Sequence, residues 1–357
     1  MQKKDVVKTN QQIGVHVKRT LILFVCSFLI VLTRHFTAPC QPVEVRISDS
    51  RAGEGYSAGV FEDRSAPTVF LSSSSETSNA ESAARRHTAK RSECPEPADT
   101  GCGTERREFF SDACGTLMKY YALVPRGSDT NERYPVLYLL HGAYDGYTAW
   151  KDHAEKEICD LVSEYRIVVV TPEGGSFGWY ADSRFLKKNQ VEAYFLKELI
   201  PDVEKNVPTN GLRSIAGLSM GGHGAFVLCL RHPGVFTSVS SMSGILDITR
   251  HKKQWRLPEV FGPYGDDNMA DWEQHSVLKL IERGSDKLLS VPMLISVSTG
   301  DRYSIEENRL VHKQLEKMNV RHLYYESPGA HDWAYWTSQL PLHVSFHAFW
   351  LKSAGPK

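Results

Sequence analysis

The sequence predicts an α/β domain over residues 105–352, with one mostly parallel central sheet and helices on both of its faces. Three observations carry that expectation. Short β-type runs alternate with helical stretches along this region. Several of the runs are almost continuously apolar, as strands buried on both faces must be. One of them ends in the glycine-rich turn 217–222, which leads straight into an amphipathic stretch. A region of this length is ordinary for a single domain, and the chain of 357 residues shows no internal repeat.

The chain before this region has a different character. Residues 1–20 form a basic segment in which Lys3, Lys4, Lys8, Lys18 and Arg19 face one acid, Asp5. An apolar run over 21–32 follows, closed by Thr33-Arg34-His35. As a helix it reaches only about 18 Å, against a hydrocarbon core of about 30 Å. Residues 21–40 are therefore expected to be a signal peptide or an uncleaved signal anchor rather than a full span, with Ala38-Pro39-Cys40 the nearest cleavage site. Positive charge ahead of the run then places the remainder outside the cytoplasm, secreted, periplasmic or anchored, with membrane contact confined to this segment. Residues 41–104 contain Ser72-Ser73-Ser74-Ser75 within a tract rich in Ser, Ala, Glu and Arg. Such a tract buries too little apolar surface to offset its ordering entropy and is expected to be a disordered linker.

Within 105–352 the strand-like runs are 117–124, 136–140, 167–171, 214–216, 293–297 and 323–326. The helical stretches are 152–165, 190–204, 221–231 and 306–318. Composition narrows the partners. Lys plus Arg and Asp plus Glu both number 42, so no net field draws the chain to nucleic acid. Six cysteines lie outside the apolar run. Cys94, Cys102 and Cys114 are close enough in sequence for two of them to pair in an oxidising compartment, whereas Cys159 and Cys229 sit in amphipathic stretches and are expected as buried free thiols.

The chemistry concentrates in Gly217-Leu218-Ser219-Met220-Gly221, a Gly-x-Ser-x-Gly pentapeptide between an apolar strand and a helix. A serine on so tight a turn is held in a strained backbone, and the helix N-terminus behind it offers N–H groups to a developing anion. Ser219 is the expected nucleophile. It needs a base and an acid to orient that base, in the chain order Ser, acid, His. His331 stands in the Pro328-Gly329-Ala330 loop just past a strand and is the expected base. Asp301, at the end of the run 293–297, is the expected acid, preferred to Glu306, Glu307 and Asp332. The oxyanion donors are expected to be the backbone N–H groups of Met220 and of Ala143, which follows Leu140-His141-Gly142. Trp179 and Tyr180 follow the run 167–171 at the ligand-binding end of the sheet, where they either line the substrate pocket or pack. The sequence contains no His-Glu-x-x-His or Cys-x-x-Cys ligand set, and this chemistry needs neither metal nor organic cofactor.

At these residues the chain resembles the esterase D family of α/β-hydrolases (the putative-esterase group). That family includes tributyrin esterase, S-formylglutathione hydrolase, feruloyl and acetyl-xylan esterases and the mycolyltransferases. The matching stretches are Tyr134-Pro135-Val136-Leu137-Tyr138-Leu139-Leu140-His141-Gly142, Trp179-Tyr180-Ala181-Asp182-Ser183 and Glu198-Leu199-Ile200-Pro201. They continue with the elbow 217–222, Arg231-His232-Pro233 and Gly329-Ala330-His331-Asp332-Trp333. The resemblance implies an α/β-hydrolase fold, the same nucleophile, base and oxyanion donors, and an ester or thioester substrate. It departs at the acid: the family places two residues between a glycine and its aspartate, whereas Gly300 and Asp301 are adjacent. The expected function is a serine carboxylesterase acting on a short-chain or carbohydrate-linked acyl ester. An acyltransferase with an alcohol or sugar acceptor and a non-catalytic binding module on the same fold are the alternatives.

Overall fold

The computed structural model describes residues 46–47, 101–127, 131–284 and 288–355. The basic segment 1–20 and the expected signal or anchor lie outside these residues, as does the Ser-rich tract apart from 46–47 and 101–104. In chain order the strands are β1 (Arg46–Ile47), β2 (Cys102–Ser111), β3 (Thr116–Pro125), β4 (Tyr134–Leu140), β5 (Val168–Pro172), β6 (Thr209–Leu218), β7 (Val239–Met242), β8 (Met293–Ser298) and β9 (Leu323–Ser327). They form one sheet in the order β1-β9-β8-β7-β6-β4-β5-β3-β2. The run from β9 to β5 is parallel; β3 and β2 extend it antiparallel at one edge, and β1 pairs antiparallel with β9 at the other. Every strand expected from the sequence is present. Two strands fall in the stretch read as linker: β1 lies wholly inside it, and so do the first three residues of β2.

The helices cover both faces. Strand β4 shows why: Val136, Tyr138 and Leu140 point into one apolar cluster, and Leu137 and Leu139 into the other. Helix α1 (Ala149–Tyr165) and the C-terminal helix α8 (Trp333–Ser353) close the second cluster with Trp150, Ile158, Trp336, Leu340 and Val344. The opposite face is covered by three elements. Helix α2 runs through Val191–Tyr194, a π-helical turn Phe195–Leu199 and Ile200–Asn206; α3 is Met220–Arg231 and α7 is Ile305–Lys317. Tyr194, Phe195, Phe226 and Val311 carry their contacts. Three short helices, α4 (Leu257–Phe261), α5 (Met269–Gln274) and α6 (Val277–Glu282), lie between β7 and β8.

Cysteine pairing differs from expectation. Cys159 is bonded to Cys102, with Cα atoms 5.0 Å apart, while Cys114 and Cys229 are buried free thiols. The partners are 57 positions apart in sequence, and only the fold brings α1 beside the first residue of β2. Closing a loop of that length contributes about 4 kcal/mol in the chain-entropy account.

Beneath the sheet, α8 is tied down by polar contacts as well as apolar ones. His347 hydrogen-bonds Ser238 and Ser240 at 2.8 and 2.7 Å, and His343 hydrogen-bonds Ser240 and Ser296 at 2.7 and 2.9 Å. Ser214 of β6 joins through Ser238 at 2.7 Å. Both imidazoles are fully buried, and burial pushes His343 down to about 3 and His347 well below its ordinary value.

An unfolded histidine takes up a proton below about 6.5. Folded His343 does so only near 3, so between those values the unfolded chain binds more protons and stability falls as pH falls. Thermal melts followed by circular dichroism should show a midpoint declining from pH 6.5 toward 3, and less steeply in His343→Gln. Equal slopes in the two proteins would contradict the neutral burial. For the disulfide, Cys159→Ser should lower the unfolding free energy by about 4 kcal/mol, read from urea denaturation under non-reducing conditions.

Candidate active site

Four strands of the parallel run bring the expected residues to one end of the sheet. Ser219 follows β6, Asp301 comes three residues after β8, His331 four after β9, and the 141–143 loop follows β4. Because the order there is β9-β8-β7-β6-β4, Ser219 lies between the strands bearing the acid and base and the strand bearing the Gly142 loop.

Ser219 has φ 51° and ψ −118°, outside the regions a side-chain-bearing residue prefers. Its N–H donates to the carbonyl of Met242, and its own carbonyl accepts from His223 and Ile245. The glycines around it are required by close approach. A Cβ on Gly217 would lie 2.4 Å from the backbone of Gly221, and one on Gly221 would lie 2.5 Å from the carbonyl oxygen of Leu140. Met220 is the first residue of α3, so its N–H has no partner within the helix. A Cβ on Gly142 would come within 3.5 Å of the Ser219 side chain, so the loop carrying Ala143 runs directly against the serine.

The structure joins the three expected side chains. His331 Nε2 is 2.9 Å from Ser219 Oγ, and His331 Nδ1 is 2.8 Å from Asp301 Oδ2. Asp301 is buried. Burial alone would raise its pKa, but hydrogen bonds from His331, the Ser304 hydroxyl and the Tyr303 N–H hold it below the usual carboxylate value. An ionised carboxylate only accepts, so Nδ1 carries the imidazole proton and Nε2 presents its lone pair to the serine hydroxyl. The adjacency of Gly300 and Asp301 also has a local reason. Gly300 N–H donates to the Gly329 carbonyl, and a Cβ on Gly300 would lie 2.4 Å from that oxygen, so the two loops touch directly. The other acids are engaged elsewhere. Asp332 caps α8 by accepting from the Tyr335 N–H, Glu306 is exposed, and Glu307 accepts from the Asp247 N–H.

Trp179 and Tyr180 do not present surface to a ligand: they are 1% and 0% exposed. Both have left-handed backbones, which turn the rings inward. Tyr180 packs against Gly224 of α3 and donates its hydroxyl to the His141 carbonyl at 3.1 Å, while Trp179 Nε1 donates to the Trp255 carbonyl. They support the loops around the serine. Two other supporting residues were not singled out from the sequence. His141 Nε2 accepts from the Gly174 N–H and Nδ1 donates to the Gly142 carbonyl, a tautomer kept neutral by burial. Ser304 donates its hydroxyl at 2.6 Å to Asp301 Oδ2, the oxygen that also meets His331. An Asp followed three residues later by Ser at a helix entry was the available signal.

Sheet order, elbow and the Ser–His–Asp chain together define an α/β-hydrolase. The family model described as "Putative esterase" matches residues 111–347, more than half of the chain, and the chain belongs to that family. An esterase of Mycobacterium tuberculosis is 34% identical over 148 residues, 40% of this chain and 32% of the relative. The chain thus spans about a third of that relative. An acetyl esterase of Caldicellulosiruptor saccharolyticus is 27% identical over 227 residues, covering 59% of this chain and 82% of the relative. Among solved structures, an S-formylglutathione hydrolase from Agrobacterium tumefaciens shares the fold with a TM-score of 0.63 at 21% identity, covering 71% of this chain and 96% of its own.

The supporting roles can be tested by stability. Tyr180→Phe removes only the hydroxyl and should cost about 1 kcal/mol. Gly221→Ala drives a methyl into backbone carbonyls and should cost about 1–3 kcal/mol. Urea denaturation of both variants reads these losses; a neutral Gly221→Ala would refute the close approach of α3 to β4.

Proposed function

We propose that the protein is a serine carboxylesterase whose reaction passes through an acyl-enzyme on Ser219. The observation that carries this reading is the continuous chain from Ser219 Oγ through His331 to Asp301, at 2.9 and 2.8 Å. As Ser219 attacks the ester carbonyl, His331 Nε2 takes its proton and Asp301 stabilises the imidazolium that results. The carbonyl oxygen becomes an oxyanion, received by the N–H groups of Met220 and Ala143. Collapse expels the alcohol, which takes its proton from His331; water then repeats the sequence to release the acid.

A short-chain or carbohydrate-linked acyl ester is the proposed substrate class, and the likeness to an acetyl esterase supports it. The proposed location is outside the cytoplasm, with membrane contact through the N-terminal segment alone. The Cys102–Cys159 bond supports this, since disulfides persist in oxidising compartments.

The test uses 4-nitrophenyl acetate and butyrate. Ser219→Ala should lower kcat by about 10⁶-fold and abolish labelling by a fluorophosphonate while the protein remains folded. Asp301→Asn should lower kcat by about 10⁴-fold, because an amide favours the wrong imidazole tautomer. A folded Ser219→Ala protein that keeps a tenth of the wild-type turnover would refute the assignment.

A further inference from the structure

A cleft of about 600 Å³ lies between the 249–254 segment and the first turn of α7, with Arg302 and Tyr303 also in its lining. That volume is ample for a small organic group. It adjoins the reacting atoms through an aromatic row. The Tyr303 ring lies 5.3 Å from the His331 ring, Trp255 is 6.1 Å from Tyr303, and His251 is 4.6 Å from Trp255. Tyr303 is largely exposed, so its ring is available to a ligand.

The charges lining this cleft are unbalanced. Arg250 and Lys252 come from one wall and Arg302, the residue after Asp301, from the other. All three are exposed, and none makes an ion pair with a carboxylate among the described residues. Lys252 instead places its ammonium over the Tyr264 ring at 3.9 Å. Both acids of the lining are already engaged. Glu306 pairs with Arg309 at 3.5 Å. Glu307 is buried, accepting from the Asp247 N–H at 3.1 Å and facing His251 Nε2 at 3.3 Å. Burial pushes Glu307 up to about 7, against its hydrogen bond with His251, which further reduces negative charge at the cleft floor. Two guanidiniums with no carboxylate ion pair among the described residues, lining one open cleft, suit a carboxylate or phosphate, whose oxygens match their paired N–H groups.

We propose that this cleft receives an anionic group of the ester substrate, held by Arg250 and Arg302 while the ester carbonyl lies at Ser219. The proposal deepens the esterase reading and rests on it for the position of the carbonyl. The enzyme's substrate is then an ester carrying a carboxylate or phosphate several bonds from the scissile carbonyl, with Tyr303 and Trp255 flanking the part between.

Two pairs of esters place the charge on either side of the bond. The acyl side is probed by mono-4-nitrophenyl glutarate against 4-nitrophenyl pentanoate, and the alcohol side by 4-acetoxybenzoate against 4-acetoxybenzamide. In one pair, the ratio of kcat/KM for the anionic over the neutral ester should fall at least about tenfold in Arg250→Ala/Arg302→Ala. It should also fall as salt is raised. Using a ratio cancels any loss caused by disturbing Asp301. Independently of turnover, quenching of tryptophan fluorescence should show tighter binding of glutarate or 4-hydroxybenzoate than of the matching neutral amide, and the double variant should lose the difference. Ratios that persist in both pairs, together with equal binding of anion and amide by the wild type, would overturn the proposal. Fluorophosphonate labelling and neutral-ester turnover report separately on the esterase reading.

Discussion

The backbone at Ser219 is the constraint from which the rest of this site follows. A residue at φ 51° and ψ −118° is unfavourable by itself and persists only where its surroundings over-determine it. Here they do so from three sides. The N–H of Ser219 is committed to β7, its carbonyl to the first turn of α3 and to Ile245, and its flanking glycines leave backbone in contact with backbone. Turning the chain this sharply lifts the hydroxyl above the sheet edge and aims the start of α3 at the same point. The position of the serine hydroxyl and of the helix terminus is thus one decision, made where β6 ends.

A second decision is made by the strands on one side of β6. The loops after β8 and β9 touch at Gly300 and Gly329, and this contact sets the separation of Asp301 from His331. Charge then follows geometry. Asp301 is buried yet remains ionised because hydrogen bonds from three sources outweigh the loss of water. Two histidines elsewhere, His343 and His347, are buried without a carboxylate and stay neutral. The same side chain type therefore bridges a carboxylate and a serine hydroxyl just before α8 and fills the core along it, according to what each ring faces.

Much of this was legible in the residues, for reasons that differ by element. The parallel strands announced themselves because strands buried on both faces must be continuously apolar, and Ser219 because its turn tolerates so few residue types. Asp301 was placed by chain order and strand end even though its spacing from the glycine was unusual. What escaped was set by tertiary contact. Helix α8 went unassigned because its apolar residues fall on all sides and Pro341 interrupts them, as suits a helix packed under a sheet. Strand β2 reads as charged and alternating because it is an edge strand whose outer residues meet solvent. For Trp179 and Tyr180 the chain position leaves pocket lining and packing equally open; two left-handed residues in a row accompany their burial, which no periodicity reveals. Cys159 was taken for a free thiol because its partner lies on an element far away in sequence.

The Cys102–Cys159 bond also bears on the order in which the molecule is made. The loop it closes contains β2, β3, β4 and most of α1, all of which precede the elbow strand in the chain. A parallel sheet is slow to assemble because its neighbouring strands are distant in sequence. Where an oxidant meets the emerging polypeptide, it can clamp roughly the first quarter of the domain while β6, β8 and β9 are still to come. The later strands then dock onto a partner whose wandering has already been curtailed. Synthesis in a reducing environment would deny the chain that head start, leaving the edge of the sheet to be secured last.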